Sequence, residues 1–227
     1  EILKIHPWAS MTKFCKSGGE ACMLAIRIAR AYTKKQGIAF CGYHGWHDWY
    51  LAANLSNSKN LDGQLLKGLK TTGVSKTFKD SIFPFKYNDL DSFKNIIRKY
   101  KNKIGIIIME PRREQIPQNK FLKKIKTIAK KNNIILIFDE ITSGFHENLG
   151  GIHLKYKVNP DLAIFGKAMA NGYPISAIIG KKNIMNNSQK SFISSTMWTE
   201  GIGFSASIAT IKKMKKFKIQ QSLVSYG

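Results

Sequence analysis

Acidic residues are scarce in this chain: 14 Asp and Glu stand against 37 Lys and Arg over 227 residues, a formal charge of +23. Such an excess raises nucleic acid or an anionic membrane as partners. The distribution argues against both. The lysines run along the whole chain among Ile and Asn, with no arginine-rich block and no recognised nucleic-acid module. Specific nucleic-acid binding is therefore not expected, only weak nonspecific association with polyanions. A compositional bias toward Lys, Ile and Asn would account for the charge without any function.

Cysteine is also sparse. Cys15, Cys22 and Cys41 form neither a disulfide framework nor a metal-ligand spacing, and a reducing cytoplasm is the simplest compartment. No apolar run approaches the roughly 20 residues that span a bilayer, so no membrane partner is expected. The opening Glu-Ile-Leu-Lys-Ile-His-Pro has no secretory pattern. There is no initiator methionine, and Ser222 to Gly227 close no recognisable element, so a fragment of a longer protein is expected.

What is present reads as a globular α/β chain with 43% hydrophobic residues. Helical and strand patterns alternate, as in a largely parallel sheet. The spacing predicts a helix over Glu20–Lys35, with Ala21, Leu24, Ala25, Ile28, Ala29 and Tyr32 inward. It also predicts helices from Asp89 to about Lys101, from about Asn119 to Lys131, and from about Gly203 to Lys216. Strands are predicted at Ile38–Cys41, Ile104–Met109, Ile134–Phe138, Leu162–Phe165 and Ile175–Ile179. Residues 52–80 read as a long polar surface loop.

Chemistry gathers at four places. Ser17-Gly18-Gly19 precedes a helix, where free amides and the helix dipole suit a phosphate; a simple capped turn is the other reading. Tyr43-His44-Gly45-Trp46-His47-Asp48-Trp49-Tyr50 follows a strand, and an aromatic there could stack on a planar cofactor or merely fill a buried corner. His44 and His47 lack a third ligand at regular spacing, so no metal is expected. Asp139-Glu140 ends an apolar strand, where a carboxylate needs a cation, a metal, a protonated ring nitrogen or a structural partner. Lys167 is the only lysine in the apolar run Ala163-Ile-Phe-Gly-Lys-Ala-Met-Ala-Asn-Gly-Tyr-Pro174. Desolvation would favour its neutral amine and Schiff-base chemistry, unless it snorkels from a strand end. A lysine, a carboxylate, an aromatic and a phosphate cup are the four parts needed to hold pyridoxal phosphate.

Four stretches then carry a family resemblance: Lys16-Ser-Gly-Gly-Glu-Ala-Cys-Met23 with Arg27 and Ala29-Arg-Ala31; Tyr43-His-Gly45; Phe138-Asp-Glu-Ile-Thr-Ser-Gly-Phe145; and Pro160-Asp-Leu-Ala-Ile-Phe-Gly-Lys167 with Asn171-Gly-Tyr-Pro174. In these the chain resembles the class III, fold-type I pyridoxal-phosphate aminotransferases, a family that includes glutamate-1-semialdehyde aminomutase. The resemblance implies an α/β large domain over residues 1–227 with a mostly parallel sheet of seven-stranded type flanked by helices. The family's N-terminal segment and C-terminal small domain would be missing. It implies Lys167 as the internal-aldimine lysine and Asp139 as partner of the pyridine nitrogen. Tyr43 would stack on the ring, beside His44, and Ser17, Gly18 and Gly19 would bind phosphate. Thr196, or its rival Thr199, would reach the phosphate of a neighbouring subunit in a homodimer. Glu110-Pro111 matches a family position, with a buried structural pairing equally open. The reactants would be a small-molecule amino donor and a carbonyl acceptor, or one substrate of an aminomutase; a noncatalytic fragment is the remaining alternative.

Three departures stand out. Gly19 replaces the family's usual hydroxyl residue, keeping the backbone contact and removing a side-chain donor. His146 stands where an arginine commonly follows Gly-Phe. Ala168-Met-Ala-Asn-Gly172 lacks the glycine richness typical of the aminomutase, which weakens that assignment more than the transaminase one.

Overall fold

A computed structural model describes residues 1–226. Seven strands form one sheet: β1 (Met11–Cys15), β2 (Gly37–Cys41), β3 (Ile82–Pro84), β4 (Ile104–Met109), β5 (Ile135–Asp139), β6 (Leu162–Phe165) and β7 (Ser176–Gly180). Their order is β1-β7-β6-β5-β4-β2-β3. The pairs from β6 through β5, β4 and β2 to β3 are parallel, and β7 runs antiparallel to both β6 and β1. Only β7 is reversed, so six strands share one direction.

The strands are apolar throughout because both faces are covered. On one face Phe40, Ile106, Ile108, Ile137 and Ile164 pack with the helix Gly18–Thr33 through Cys22, Ala25, Ile26 and Ala29. On the other, Ala39, Ile107, Met109, Leu136 and Phe138 meet the helices Leu90–Tyr100 and Phe121–Lys131. Ala163, Phe165, Ala177 and Ile179 continue that face against Ile211 and Met214 of the helix Gly201–Phe217. The period-2 alternation assigns successive residues of each strand to opposite layers.

Several predicted boundaries shift for identifiable reasons. The first long helix starts at Gly18, because the Ser17 hydroxyl accepts from the Glu20 amide and the Glu20 carboxylate reaches back in a capping box. It ends at Thr33, where Lys34 turns left-handed at φ 59°. Tyr32, expected inward, is exposed at that end. Asp89 caps its helix as expected, accepting from the Ser92 amide at 2.8 Å. Residues 52–80 are not simply a surface loop. They contain helical turns at Ala53–Ser56 and Lys76–Phe78, and buried Asn54 ties the segment by accepting from the Leu61 amide and donating to the Leu69 carbonyl. The expectation that the last residues close no element is corrected by a helix at Ile219–Tyr226. Strand β1 was not foreseen; its mixed polarity reflects its place at the sheet edge beside β7.

Candidate active site

The parallel strands point their carboxyl ends to one side, and the chemistry-bearing residues lie there. Asp139 is the last residue of β5; Gly166 and Lys167 follow β6; Tyr43 and His44 follow β2. Ser17, Gly18 and Gly19 begin the helix after β1. All of these but Gly166 line a cavity of about 700 Å³ with Lys16, Gly45, Trp46, Ile141, Thr142, Asn171, Tyr173 and Ser176. Crevices at strand ends are where open α/β sheets bind ligands.

Lys167 differs from its sequence expectation. It is exposed rather than desolvated, because the apolar character of its run belongs to β6 and to Met169 and Ala170 packed beneath, while the lysine opens onto the cavity. Its φ of 42° is unusual for a residue with a Cβ. The Nζ donates to Thr142 Oγ1 at 3.1 Å.

Asp139 is 3% exposed and fully engaged from behind. Its Oδ1 accepts from the Ile141 amide at 3.1 Å. Its Oδ2 accepts from His44 Nδ1 at 2.8 Å and from Cys22 Sγ at 3.3 Å. His44 Nε2 faces the Cys41 carbonyl at 3.1 Å, and a carbonyl can only accept. The Nε2 therefore carries a proton, and a further proton lies between Nδ1 and Asp139. His44 thus sits beneath the carboxylate and at the cavity wall. Cys22, His44 and Asp139 place one ligand atom each within 4.8 Å of one another, although their sequence spacing gave no hint of a metal set. Their mutual hydrogen bonds account for the cluster. Burial and the Asp139 carboxylate push the Cys22 thiol well above its ordinary range, so it remains a neutral S–H donor.

The phosphate-cup residues have the geometry of an anion site. Ser17 Oγ and the Glu20 carboxylate occupy the capping contacts, with Glu20 Oε2 also accepting from the Lys16 amide at 2.7 Å. Among the described residues, the Gly18 and Gly19 amides have no acceptor. Space here is tight: a Cβ on Gly19 would lie 3.1 Å from His47 Nδ1, and one on Gly45 only 2.6 Å from Gly19 Cα. The His47 Nδ1 itself is buried without a partner.

Tyr43 stands half-exposed at the cavity wall, its ring edge-on to Tyr50 at 5.7 Å. Its amide donates to Glu110 Oε2 at 2.9 Å. Glu110 is buried, and burial raises its carboxyl above the ordinary range. It lines a separate cavity of about 230 Å³ with Gln64 and Arg113 rather than the larger one. Its position favours the structural pairing: it holds the backbone of Tyr43. Thr196 and Thr199 are exposed in a short helical turn outside the main cavity. His146 faces a different depression with Arg112, Arg113 and Lys155.

Cys22, Ile141 and Thr142 were not singled out by sequence reasoning. Ile141 and Thr142 follow the Asp-Glu pair directly, which was the available signal. Cys22 lies one helical turn after Gly18, and only the packing of that helix on β5 brings it to Asp139.

The sequence matches the family description Aminotransferase class-III over residues 1–226. It is 37% identical to 3-aminobutyryl-CoA aminotransferase of Cloacimonas acidaminovorans, covering 100% of this chain and 52% of that protein. It is 36% identical to glutamate-1-semialdehyde 2,1-aminomutase of Francisella philomiragia, covering 95% of this chain and 51% of that protein. The chain thus spans about half the length of the curated relatives it matches. Among solved structures, an omega-transaminase from Sphaerobacter thermophilus superposes with a TM-score of 0.82 at 26% identity, over 94% of this chain and 51% of that one. Ornithine aminotransferase from Toxoplasma gondii shares the fold, with a TM-score of 0.81 at 18% identity over 96% of this chain and 52% of that one. Fold, cavity and sequence agree: the chain belongs to the class III aminotransferases, whose cofactor is pyridoxal phosphate.

Proposed function

We propose that the protein transfers an amino group between a small-molecule amino donor and a keto or aldehyde acceptor, with residues 1–227 contributing the cofactor-binding large domain. One observation carries the reading: a single cavity is lined by a lysine amine, a carboxylate held from behind, two unpartnered glycine amides and an aromatic wall. These parts fit pyridoxal phosphate, which when bound supplies an electron sink that acidifies the carbon next to an amine. The Gly18 and Gly19 amides would bind its phosphate, with Ser17 shaping the turn. Tyr43 would cover one face of the ring, and Asp139 would keep the ring nitrogen protonated. Lys167 Nζ is positioned by Thr142 and would hold the cofactor, then, once displaced by an amino donor, act as the base for the 1,3-proton shift.

The reconstituted protein is expected to show a visible absorption band that disappears in Lys167→Ala. Wild-type protein that binds pyridoxal phosphate no better than this variant would refute the assignment. An intramolecular aminomutase is the second reading, favoured by the 36% identical Francisella relative. Turnover of one substrate without an added keto acid separates the two.

The reading includes a homodimer in which Thr196, or Thr199, reaches the phosphate of the other subunit. Its support is that both threonines lie exposed outside this chain's own cavity, beside Phe192 at 88% and Met197 at 60% exposure. A cytoplasmic site is supported by three buried free cysteines. Neither nucleic acid nor membrane enters the reading; among the described residues no helix is long and apolar enough to cross a membrane.

A further inference from the structure

We propose that Cys22 is a positioning residue for Asp139, an inference that rests on the pyridoxal-phosphate reading of the cavity. A carboxylate offers about four acceptor positions. At Asp139 three are filled by groups of this chain: the Ile141 amide on Oδ1, and His44 Nδ1 and Cys22 Sγ on Oδ2. One position remains, on Oδ1, and Asp139 is a cavity-lining residue. The thiol thus saturates Oδ2 and directs the carboxylate's remaining acceptor capacity to the other oxygen.

The thiol also fixes how Oδ2 is shared. His44 Nδ1 and Cys22 Sγ approach the same oxygen, from the β2 loop and from the Gly18–Thr33 helix, at 2.8 Å and 3.3 Å. Cys22 is suited to this because it is fully buried and burial keeps it as S–H, adding a donor without adding charge. The donors on Asp139 are the thiol of the Gly18–Thr33 helix, the Ile141 amide just after β5 and the imidazole of the β2 loop. A fixed Asp139 is what a protonated ring nitrogen needs as partner.

Two measurements on the intact protein test this. In the cofactor-free wild type, one of the three S–H stretching bands in the infrared is expected to be broadened and shifted to lower frequency, as for a thiol bonded to a carboxylate. Three bands at ordinary weakly bonded positions would overturn the proposal even if no variant folds. In equilibrium titration with pyridoxal phosphate, Cys22→Ala and the larger, nonpolar Cys22→Val are each expected to weaken binding roughly two- to tenfold, with Cys22→Ser restoring most of it. Wild-type affinity in Ala and Val would overturn the role of the thiol, as would a loss in Ser equal to that in Val. Asp139→Asn serves as the separate control. If it binds the cofactor like wild type, the assignment of Asp139 itself falls; if it alone loses affinity, only the Cys22 proposal does.

Discussion

Glu140→Gln should destabilise the protein by about 2–5 kcal/mol, although only one oxygen is exchanged for an amide nitrogen. Glu140 is fully buried next to Asp139 and receives four donors. Its Oε1 accepts from the His153 amide at 2.9 Å and His153 Nδ1 at 2.8 Å; its Oε2 accepts from Ser143 Oγ at 2.6 Å and the Ile152 amide at 3.0 Å. Trp8 Nε1 donates to His153 Nε2 at 3.1 Å, which fixes the imidazole as the Nδ1–H tautomer. A glutamine amide facing His153 meets two donors that cannot reverse. Facing the other side, it lets Ser143 rotate to accept and strands only the Ile152 amide. That orientation costs one unsatisfied buried donor, about 1–3 kcal/mol, and weakens the remaining bonds by removing their charge assistance. The expected loss is a large share of a typical folding free energy of about 5–15 kcal/mol. Urea unfolding of the cofactor-free protein measures it, as a lower midpoint at unchanged slope. A midpoint matching wild type within about 0.5 kcal/mol would refute the donor accounting.

Two further outcomes follow from the same structure. Burial lowers His6 from its ordinary pKa to about 4, its Nδ1 donating to the Ile2 carbonyl while Nε2 has no partner. The unfolded chain therefore binds a proton first, so stability falls as pH drops from about 6.5 to 4, by about 3 kcal/mol in total. His6→Gln should flatten that part of the stability–pH curve, and an unchanged slope would contradict the assignment. Gly45→Ala should cost about 1–3 kcal/mol from its φ of 91° alone and should also weaken pyridoxal-phosphate binding, because the new Cβ would press on Gly19. Isothermal titration checks the second part; unaltered affinity would mean that Gly19 is not at the phosphate.

The sheet was legible in the sequence where burial is two-sided. β4, β5 and β6 are near-continuous apolar runs, broken only by Gly105 and the terminal Asp139, and their parallel pairing follows from the helices between them. β1 was not legible, since Met-Thr-Lys-Phe-Cys carries no such run and gains its place only through β7. The lining of the candidate cavity was legible at Lys167, Asp139, Tyr43 and Gly18-Gly19 because each sits at a strand end or helix start marked by a glycine or a polarity change. The exposure of Lys167 was not, since local apolarity does not say which side of a strand end opens onto a cavity. Nor was the environment of Asp139: Cys22 lies 117 residues away in sequence, and His44 is 95 away. Contacts at that separation come from helix-on-sheet packing for Cys22 and from strand order in the sheet for His44, rather than from any local pattern.

The placement of β1 beside β7 has a consequence for how the molecule comes into being. The edge strand β1 is made before β7, its neighbour in the sheet of the described residues, which lies about 160 residues downstream. At ordinary rates of protein synthesis, that partner emerges roughly 10–30 seconds later. Until then Phe14 and Cys15 have no ladder to join, and the glycine amides that follow have no fixed position. The anion cup is therefore synthesised well before the strand that fixes its place in the sheet.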